Sequence, residues 1–560
     1  MTRSWLGGVM VLAGALATVV TCSSEDETST VCVAGAQQAC SCPGGIEGVQ
    51  ICAPDGSAWG GCDCGTGGAG GTAGGGTGGG GIGGAGGGMP SSAYEVPLTP
   101  PDCNSADSTV RFIQTAADWD DINDPAYRVF CVHPGDYTEV GTIQLQEDGS
   151  AGQERWIRYY DPNNPTDERH PVQRNEDERA VIEALRFDDG DYWIVRELTV
   201  RGDWTVVMLE NGADHNVVDR MLVERSRIQI RDGSDDNTIQ NSVIRDAPMV
   251  PSGDRVCMLL SGASTGPDVA VHGTRIVNNE IIDCTDSIQL YRPDGSSHDI
   301  DFGGTVIDEN DLYLTAAVYS DCSGNLDPQG DCACAENAVD IKAAGTGSDN
   351  IVQVSNNRMW GWQRTDTDCG GTGSWGDAVV VHQGAQYSLF QSNIVWDSAR
   401  GLTFANDHHS VVDNVVAQID NPVDDQGFAI LLMGPSSEAY RNVVVDAHAW
   451  GQVEGDDGDW RCNTLIAAGQ GRGTPGSGLV ADYNFYYGSE QLALPGDHDI
   501  VHDQAADAQH TELCFLAKRW TGPEEICLVN AAPTPSSPHA DACDPNLGSR
   551  AGVGVHDELW

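Results

Sequence analysis

The 560-residue chain carries 83 Asp and Glu against 29 Lys and Arg, a formal net charge of −54. Nucleic acid and an anionic membrane surface would be repelled at moderate salt, so neither is a partner, whereas a solvated secreted exterior and divalent cations on carboxylate oxygens both suit the charge. With 40% hydrophobic and 7% aromatic residues, the composition is that of a large folded core with small appendages, not of a disordered polymer.

Arg3 and the apolar run 6–20 have the length of a secretory signal and are too short to span a bilayer comfortably, so the chain is expected to be exported. The run ends at Val19-Val20-Thr21-Cys22. Residues 1–22 therefore resemble a bacterial lipoprotein signal with Cys22 as the lipidated residue, which implies an outer-membrane lipoprotein at the cell surface touching the membrane only through its anchor. Thr21 stands where Gly or Ala is usual, and cleavage near Ala15-Leu16-Ala17 with release outside the cell is the alternative. Setting Cys22 aside leaves 18 of the 19 cysteines, six before residue 65 and twelve after. In an exported protein that parity points to disulfides.

Residues 23–64 form a cysteine-rich module, C-x7-C-x-C-x9-C-x9-C-x-C from Cys32 to Cys64, with too few apolar residues for a core of its own; three disulfides would hold it. It resembles small modules near the N-terminus of bacterial surface lipoproteins. Residues 65–92 are almost all glycine at first and read as a flexible linker reaching about 25–30 Å.

The large domain, 93–488, reads as all-β. Short strands with a polar outward end, a Gly/Asp/Asn turn and a second strand recur as ALRFDDG with YWIVRELTV, VVMLENG with NVVDRMLVE, AVDIKAAG with NIVQVSNNRMW, and AVVVHQG with YSLFQSNIVW. The corner positions Asp219, Asn241, Asn279, Asn310, Asn357, Asn393, Asn414, Asn442 and Asn463 are often 21 or 22 residues apart. Such a repeat, with no helical period between the strands, means parallel stacking of each strand on its copy one coil later, with an amide ladder at the corner. Together with the Val129–Tyr137 segment, the pattern resembles right-handed parallel β-helix proteins of the pectate-lyase-like superfamily. Residues 489–560, with HTELCFLAKRW expected as a short helix and Cys514, Cys527 and Cys543, read as a cap over the last coil, with Cys462 a candidate partner for tying it down and the pairings left open.

Stacking places outward residues in columns. One runs Asp188, Glu210, Arg231, Ser261, Tyr291, Lys342, His382, Ala405, Met433; another, two residues earlier, runs Arg186, Met208, Gln229, Leu259, Gln289, Asp340, Val380, Thr403, Leu431. Arg231, Tyr291, Lys342 and His382 concentrate proton-handling and cationic groups on the middle coils, the combination an acidic polysaccharide needs: cations for carboxylates, a base for the C5 proton and an acid for the departing oxygen. Lysine can be that base if burial or neighbouring cations depress its pKa.

The motif E-N-A-V-D-I-K, followed one coil on by A-V-V-V-H-Q-G, is similar to the catalytic coils of chondroitinase B-like and alginate lyases. The resemblance implies Lys342 as base and His382, where those families carry an arginine, as acid or carboxylate contact; Gln383-Gly384 replaces their His-Gly. It also implies Ca²⁺ near Glu336 and Asp340, with Asp377, Asp366 and Asp368 as further candidates. Two readings follow: a monomeric lyase acting on acidic polysaccharide, and a surface β-helix that binds glycan without turnover.

Overall fold

The computed structural model describes residues 37–41, 47–51, 94–247, 255–262, 270–292, 300–319, 335–363, 376–421, 427–469, 476–489, 499–502 and 510–533. The signal segment with Cys22, the linker, most of the cysteine-rich module, Asp366, Asp368 and Cys543 lie outside them. The chain divides into two units, Met1–Pro90 and Ser91–Trp560. In the first, Gln37–Ser41 pairs antiparallel with Glu47–Ile51.

The second unit is a parallel β-helix. Each coil adds a short strand to a fourteen-stranded parallel sheet that starts at Val110–Ile113 and ends at Val480–Asp482, and further strands to two more ladders. The ladder that matters most here passes through Leu222–Arg231, Val256–Ser261, Asp286–Tyr291, Asn337–Ile341, Asp377–Val381, Arg400–Phe404 and Phe428–Leu432. Inward Val and Ile of every coil join one continuous core, among them Ile288, Val339, Ile341, Val379 and Val381, all fully buried. No strand of this length is stable alone; each is held by the copy above and below.

The amide ladder is present. The backbone N–H of Asn310 and its Nδ2 both donate to Asn357 Oδ1, at 2.9 Å each, and Asn357 does the same to Asn393 at 3.0 Å. It runs from Asn279 to Asn484. Asp219 and Asn241 are not part of it. Met221 N–H donates to Ser242 Oγ and Ser242 N–H to Asn279 Oδ1, so the ladder passes through Ser242. Asn241, in the left-handed region at φ 53, turns its amide toward Glu95 and Asp219 instead.

The C-terminal segment is a hairpin and not a helix: His510–Ala517 pairs antiparallel with Glu524–Pro533, closed by the Cys514–Cys527 disulfide. Leu513 and Ala517 are buried while Glu512, Cys514 and Leu516 are exposed, which is the period of a strand. The hairpin lies along the flank of the coils, where Leu513, Ala517, Leu528 and Ala531 pack with Tyr313, Trp360, Trp396 and Tyr487. Its turn reaches back to Glu280, which accepts from Trp520 N–H at 2.8 Å. Cys462 belongs to the same cluster and is disulfide-bonded.

An N-terminal extended segment covers part of the fourteen-stranded sheet. Cys103 is bonded to Cys131, Val96 exchanges two hydrogen bonds with Gln240 (2.8 and 3.0 Å), and Tyr94 Oη donates to Gln353 Oε1 at 3.2 Å. Beneath it Val129, Trp156, Ile194 and Val217 form an apolar stripe with Val96 and Leu98.

Candidate active site

Alternation fixes what each strand of the middle coils offers. Val339 and Ile341 face the core, so Asp340 and Lys342 leave from the other side. Register then aligns the coils: Gln289 pairs with Asp340 and Asp340 with Val380, while Leu290, Ile341 and Val381 follow one another on successive rungs. Lys342 N–H bonds Leu290 O, and His382 N–H bonds Ile341 O, each at 2.9 Å. Tyr291, Lys342 and His382 therefore occupy three consecutive rungs, each about 4.8 Å from the next.

The side chains of Lys342 and His382 converge on Asp340. Its Oδ2 lies 3.2 Å from Lys342 Nζ and its Oδ1 lies 2.9 Å from His382 Nε2. Gln289 Nε2 donates to Asp340 Oδ2 at 2.9 Å and to Asp286 Oδ2 at 2.6 Å. Lys342 Nζ also sits 5.6 Å from the centre of the Tyr291 ring. Exposure is graded: 1% for the Asp340 side chain, 29% for Lys342 and 46% for His382. A buried anion thus forms the floor beneath two groups that solvent or a ligand can reach, which is not a surface ion pair; such a carboxylate left without its partners is strongly destabilising.

The charges around Lys342 run opposite to the depressed pKa that a lysine base calls for. Burial pulls its pKa down, but the carboxylates of Asp340, Asp286 and Glu336 outweigh burial and hold it above the ordinary lysine value. Lys342 is a persistent cation. His382, by contrast, brings Nε2 to 2.9 Å from Asp340 Oδ1, an oxygen that accepts no hydrogen bond.

Other expected residues lie elsewhere. Arg231 shares the column, but its register runs through Ser261 and Tyr291 before Lys342, three rungs or about 14 Å away. It is held by Glu210, with Nε to Oε2 at 2.8 Å, and by Asp232 at 3.1 Å. Asp377 is buried, accepts from Thr403 Oγ1 at 3.0 Å and faces Arg400 at 3.9 Å. Glu336 is near enough to raise the Lys342 pKa. A Ca²⁺ ion would draw on Glu336, Asp340 and Asp377 and wants six to eight oxygens; Asp340 Oδ2 is engaged by Lys342 and Gln289, whereas its Oδ1 accepts no hydrogen bond. Among the described residues, one trio of metal-ligating type has its ligand atoms within 4.8 Å, Glu512, Cys514 and Cys527, and its two cysteines form a disulfide.

Three residues enter that sequence reasoning did not select. Gln289 and Asp286 support Asp340 from the preceding coil. Arg292 is marked by Gly384, where a Cβ would come within 2.8 Å of Lys342 O and 3.5 Å of Arg292 Nη1; the glycine leaves room for the guanidinium beside His382's turn. Trp360 and Trp362 are not on this face: Trp360 stacks between Tyr313 and Trp396, and Trp362 is fully buried with Nε1 on Thr285 O.

No protein-family model matches the chain, and no curated protein does. Among solved structures it is similar to an alginate lyase from Paenibacillus sp. str. FPU-7, at 16% identity over 60% of this chain and 98% of the other, TM-score 0.35. It is similar to the A-module of the Azotobacter vinelandii mannuronan C-5 epimerase AlgE6, at 11% over 70% and 93%, TM-score 0.39. A mannuronic acid specific family 6 polysaccharide lyase from human gut microbiota matches at 12% over 70% and 91%, TM-score 0.34. The likeness is one of fold. The reading of the site accordingly stands on the residues of this β-helix and their geometry.

Proposed function

We propose that this β-helix acts on an acidic polysaccharide by β-elimination, and that His382 takes the proton while Lys342 holds the carboxylate. The observation that carries the proposal is the Lys342–Asp340–His382 cluster, a cation and an imidazole on adjacent rungs tied to one buried anion. In a molecule of net charge −54, Lys342 and Arg292 bring two cationic side chains to one face, beside the carboxylates of Asp340, Asp286 and Glu336, and a uronic acid unit needs such cations for its carboxylate.

Elimination takes the C5 proton of a uronate, forms the C4–C5 double bond and breaks the C4–O bond, with a proton delivered to the departing oxygen. Lys342, kept charged by Asp340, neutralises the carboxylate next to C5 and so stabilises the negative charge that develops there. His382 Nδ1 accepts the C5 proton, and Asp340 stabilises the imidazolium through Nε2–H. Tyr291, one rung on the other side of Lys342, supplies its phenolic proton to the leaving oxygen. This assignment exchanges the lysine-base role implied by the family resemblance for a histidine base, because a lysine whose pKa is raised is a poor proton acceptor at neutral pH.

Ultraviolet absorbance of the unsaturated product, on a panel of uronic acid polymers, tests the reading. His382→Ala and Lys342→Ala are each expected to lower kcat/KM by about 10²–10³-fold, the range of a positioned base or a charge-stabilising group; chelator should leave the rate unchanged. Full turnover in His382→Ala would remove histidine as base. Polymer binding with no unsaturated product from any of them would favour the second reading, a glycan-binding surface protein, which the Gln383-Gly384 departure already makes worth separating. Export, action as a monomer and tethering through Cys22 belong to the same proposal; palmitate labelling that persists in Cys22→Ser would exclude the tether.

A further inference from the structure

We propose that the protein carries a second carbohydrate site, for neutral sugar units, in a groove around the corner from the Lys342–His382 face. The groove has a volume of about 600 Å³ and lies across the coils of the fourteen-stranded sheet that contain Tyr387, Ser410 and Glu438, within the size range of small-ligand pockets. It stands whether or not the Lys342 face turns a substrate over.

The outer surface of this sheet changes character along one column. Register places Val129, Trp156, Ile194 and Val217 on successive coils, and further on Gln353, Leu389, Ser410 and Glu438. The first group is apolar and lies under the 94–103 segment. Among the described residues that cover reaches as far as Tyr94, bonded to Gln353. The next coils carry Leu389, Ser410 and Glu438, all part-exposed. Since the same backbone position accepts Val or Trp earlier in the solenoid, polarity here is not something the fold requires.

The groove's chemistry selects for uncharged, hydroxyl-rich rings. The Tyr387 ring is braced against His408, with ring centres 4.7 Å apart, and Ile351 and Leu389 add apolar surface beside it. Such a platform suits the face of a pyranose. Ser410 Oγ donates to Glu438 Oε1 at 2.5 Å, and the carboxylate keeps further acceptor capacity for sugar hydroxyls. Arg441 is committed to the buried Asp413, Nε to Oδ1 at 2.6 Å, so it offers no cation to a ligand's carboxylate. Glu438, together with Asp407 beside His408, makes the surface negative. An acidic polymer attracted to Lys342 is therefore repelled here. The two sites are also close: His382 and Tyr387 are separated by the turn Gln383-Gly384-Ala385-Gln386. The neutral units come either from a branch on the acidic polymer or from a separate neutral polymer.

Calorimetric titration of the full chain with linear oligosaccharides of glucose, xylose, mannose and galactose tests this. At least one is expected to bind the wild type. Tyr387→Ala should weaken binding about 10-fold or more, as loss of an aromatic platform does. Ser410→Trp, which fills the groove from an outward position without entering the core, should abolish binding while leaving the rate on unbranched acidic polymer unchanged. His382→Ala should bind as wild type. A loss of rate in Ser410→Trp confined to branched acidic polymer would identify a branch as the source; equal rates on branched and trimmed polymer would identify a separate one. Failure of every sugar to bind, undiminished binding in Ser410→Trp, or loss of binding in His382→Ala would overturn the assignment.

Discussion

Asp340 has almost no contact with water, and both groups above it take their state from its charge. Remove that charge without changing the shape, as in Asp340→Asn, and two things follow. His382 loses the negative charge 2.9 Å from its Nε2, and the burial that lowers the Lys342 pKa is no longer opposed by the carboxylate that raises it most. The sign of the pH effect can be worked out. Lys342 in the folded protein holds its proton more tightly than an unfolded lysine, so the interaction stabilises the fold fully below the unfolded value of about 10.4 and is lost as pH rises through the higher folded value. Affinity for an anionic substrate should follow the same limb: KM stays flat through neutral and mildly alkaline pH and climbs only beyond it. In Asp340→Asn the climb should begin at lower pH, and kcat should fall about 10²-fold or more, in keeping with losing the orienting acid of a histidine base. An alkaline KM limb identical in the two proteins would mean that Asp340 does not set the charge of Lys342.

At the scale of the element, the Asn ladder holds successive turns in register. Asn357 is fully buried, accepts from Asn310 twice and donates to Ile307 O, Ser355 O and Asn393 Oδ1. Asn357→Ala would strand donors and acceptors on two neighbouring coils, each worth about 1–3 kcal/mol when left without a partner, so a loss of about 3 kcal/mol in denaturant unfolding is expected. A loss under about 0.5 kcal/mol would show that water replaces the amide and that the ladder is ornament. Most of this ladder was legible in the sequence, because each coil repeats strand, turn and asparagine, 21 residues apart in the shortest coils and further apart where an insertion lengthens a coil. Asn241 misled because Ser242 stands next to it and spacing alone does not say which of two adjacent polar residues turns inward. The hairpin was misread for a different reason. In HTELCFLA the pair Leu513 and Ala517 satisfies a helical spacing as well as a strand's, and only the partner strand Glu524–Pro533 decides between them. The site divides the same way: the adjacency of Lys342 and His382 follows from register, but the burial of Asp340 does not, since alternation marks it as outward and says nothing of what lies over it. Nor does spacing reveal Asp286, which lies three residues before Gln289 and which alternation groups with the inward Ile288 and Leu290.

The whole molecule sets the conditions under which the site meets its substrate. A solenoid converts sequence separation into a short axial distance, which is how a lysine and a histidine forty residues apart become neighbours, yet a polyanion must approach them on a chain whose net charge is −54. Two electrostatic terms therefore compete, and they differ in range. Repulsion comes from the entire acidic exterior; attraction comes from Arg292 and Lys342 acting over a few ångströms. At about 10 mM salt the Debye length is about 30 Å and the repulsive term is felt in full, whereas at about 100 mM it shrinks to about 10 Å and only the local cations remain in view. Near 1 M, at about 3 Å, the local contacts are screened as well. The rate kcat/KM on a uronic acid polymer should therefore rise from the lowest salt, pass a maximum near 100–200 mM and fall again toward about 1 M. Lys342→Ala, assayed by polymer binding, should retain the rise and lose most of the fall, because the rise belongs to the exterior and the fall to the cluster. A wild-type rate that decreases steadily from the lowest salt would show that the local cations outweigh the acidic body at every range, and the picture of a small positive site working against the field of its own protein would have to be abandoned.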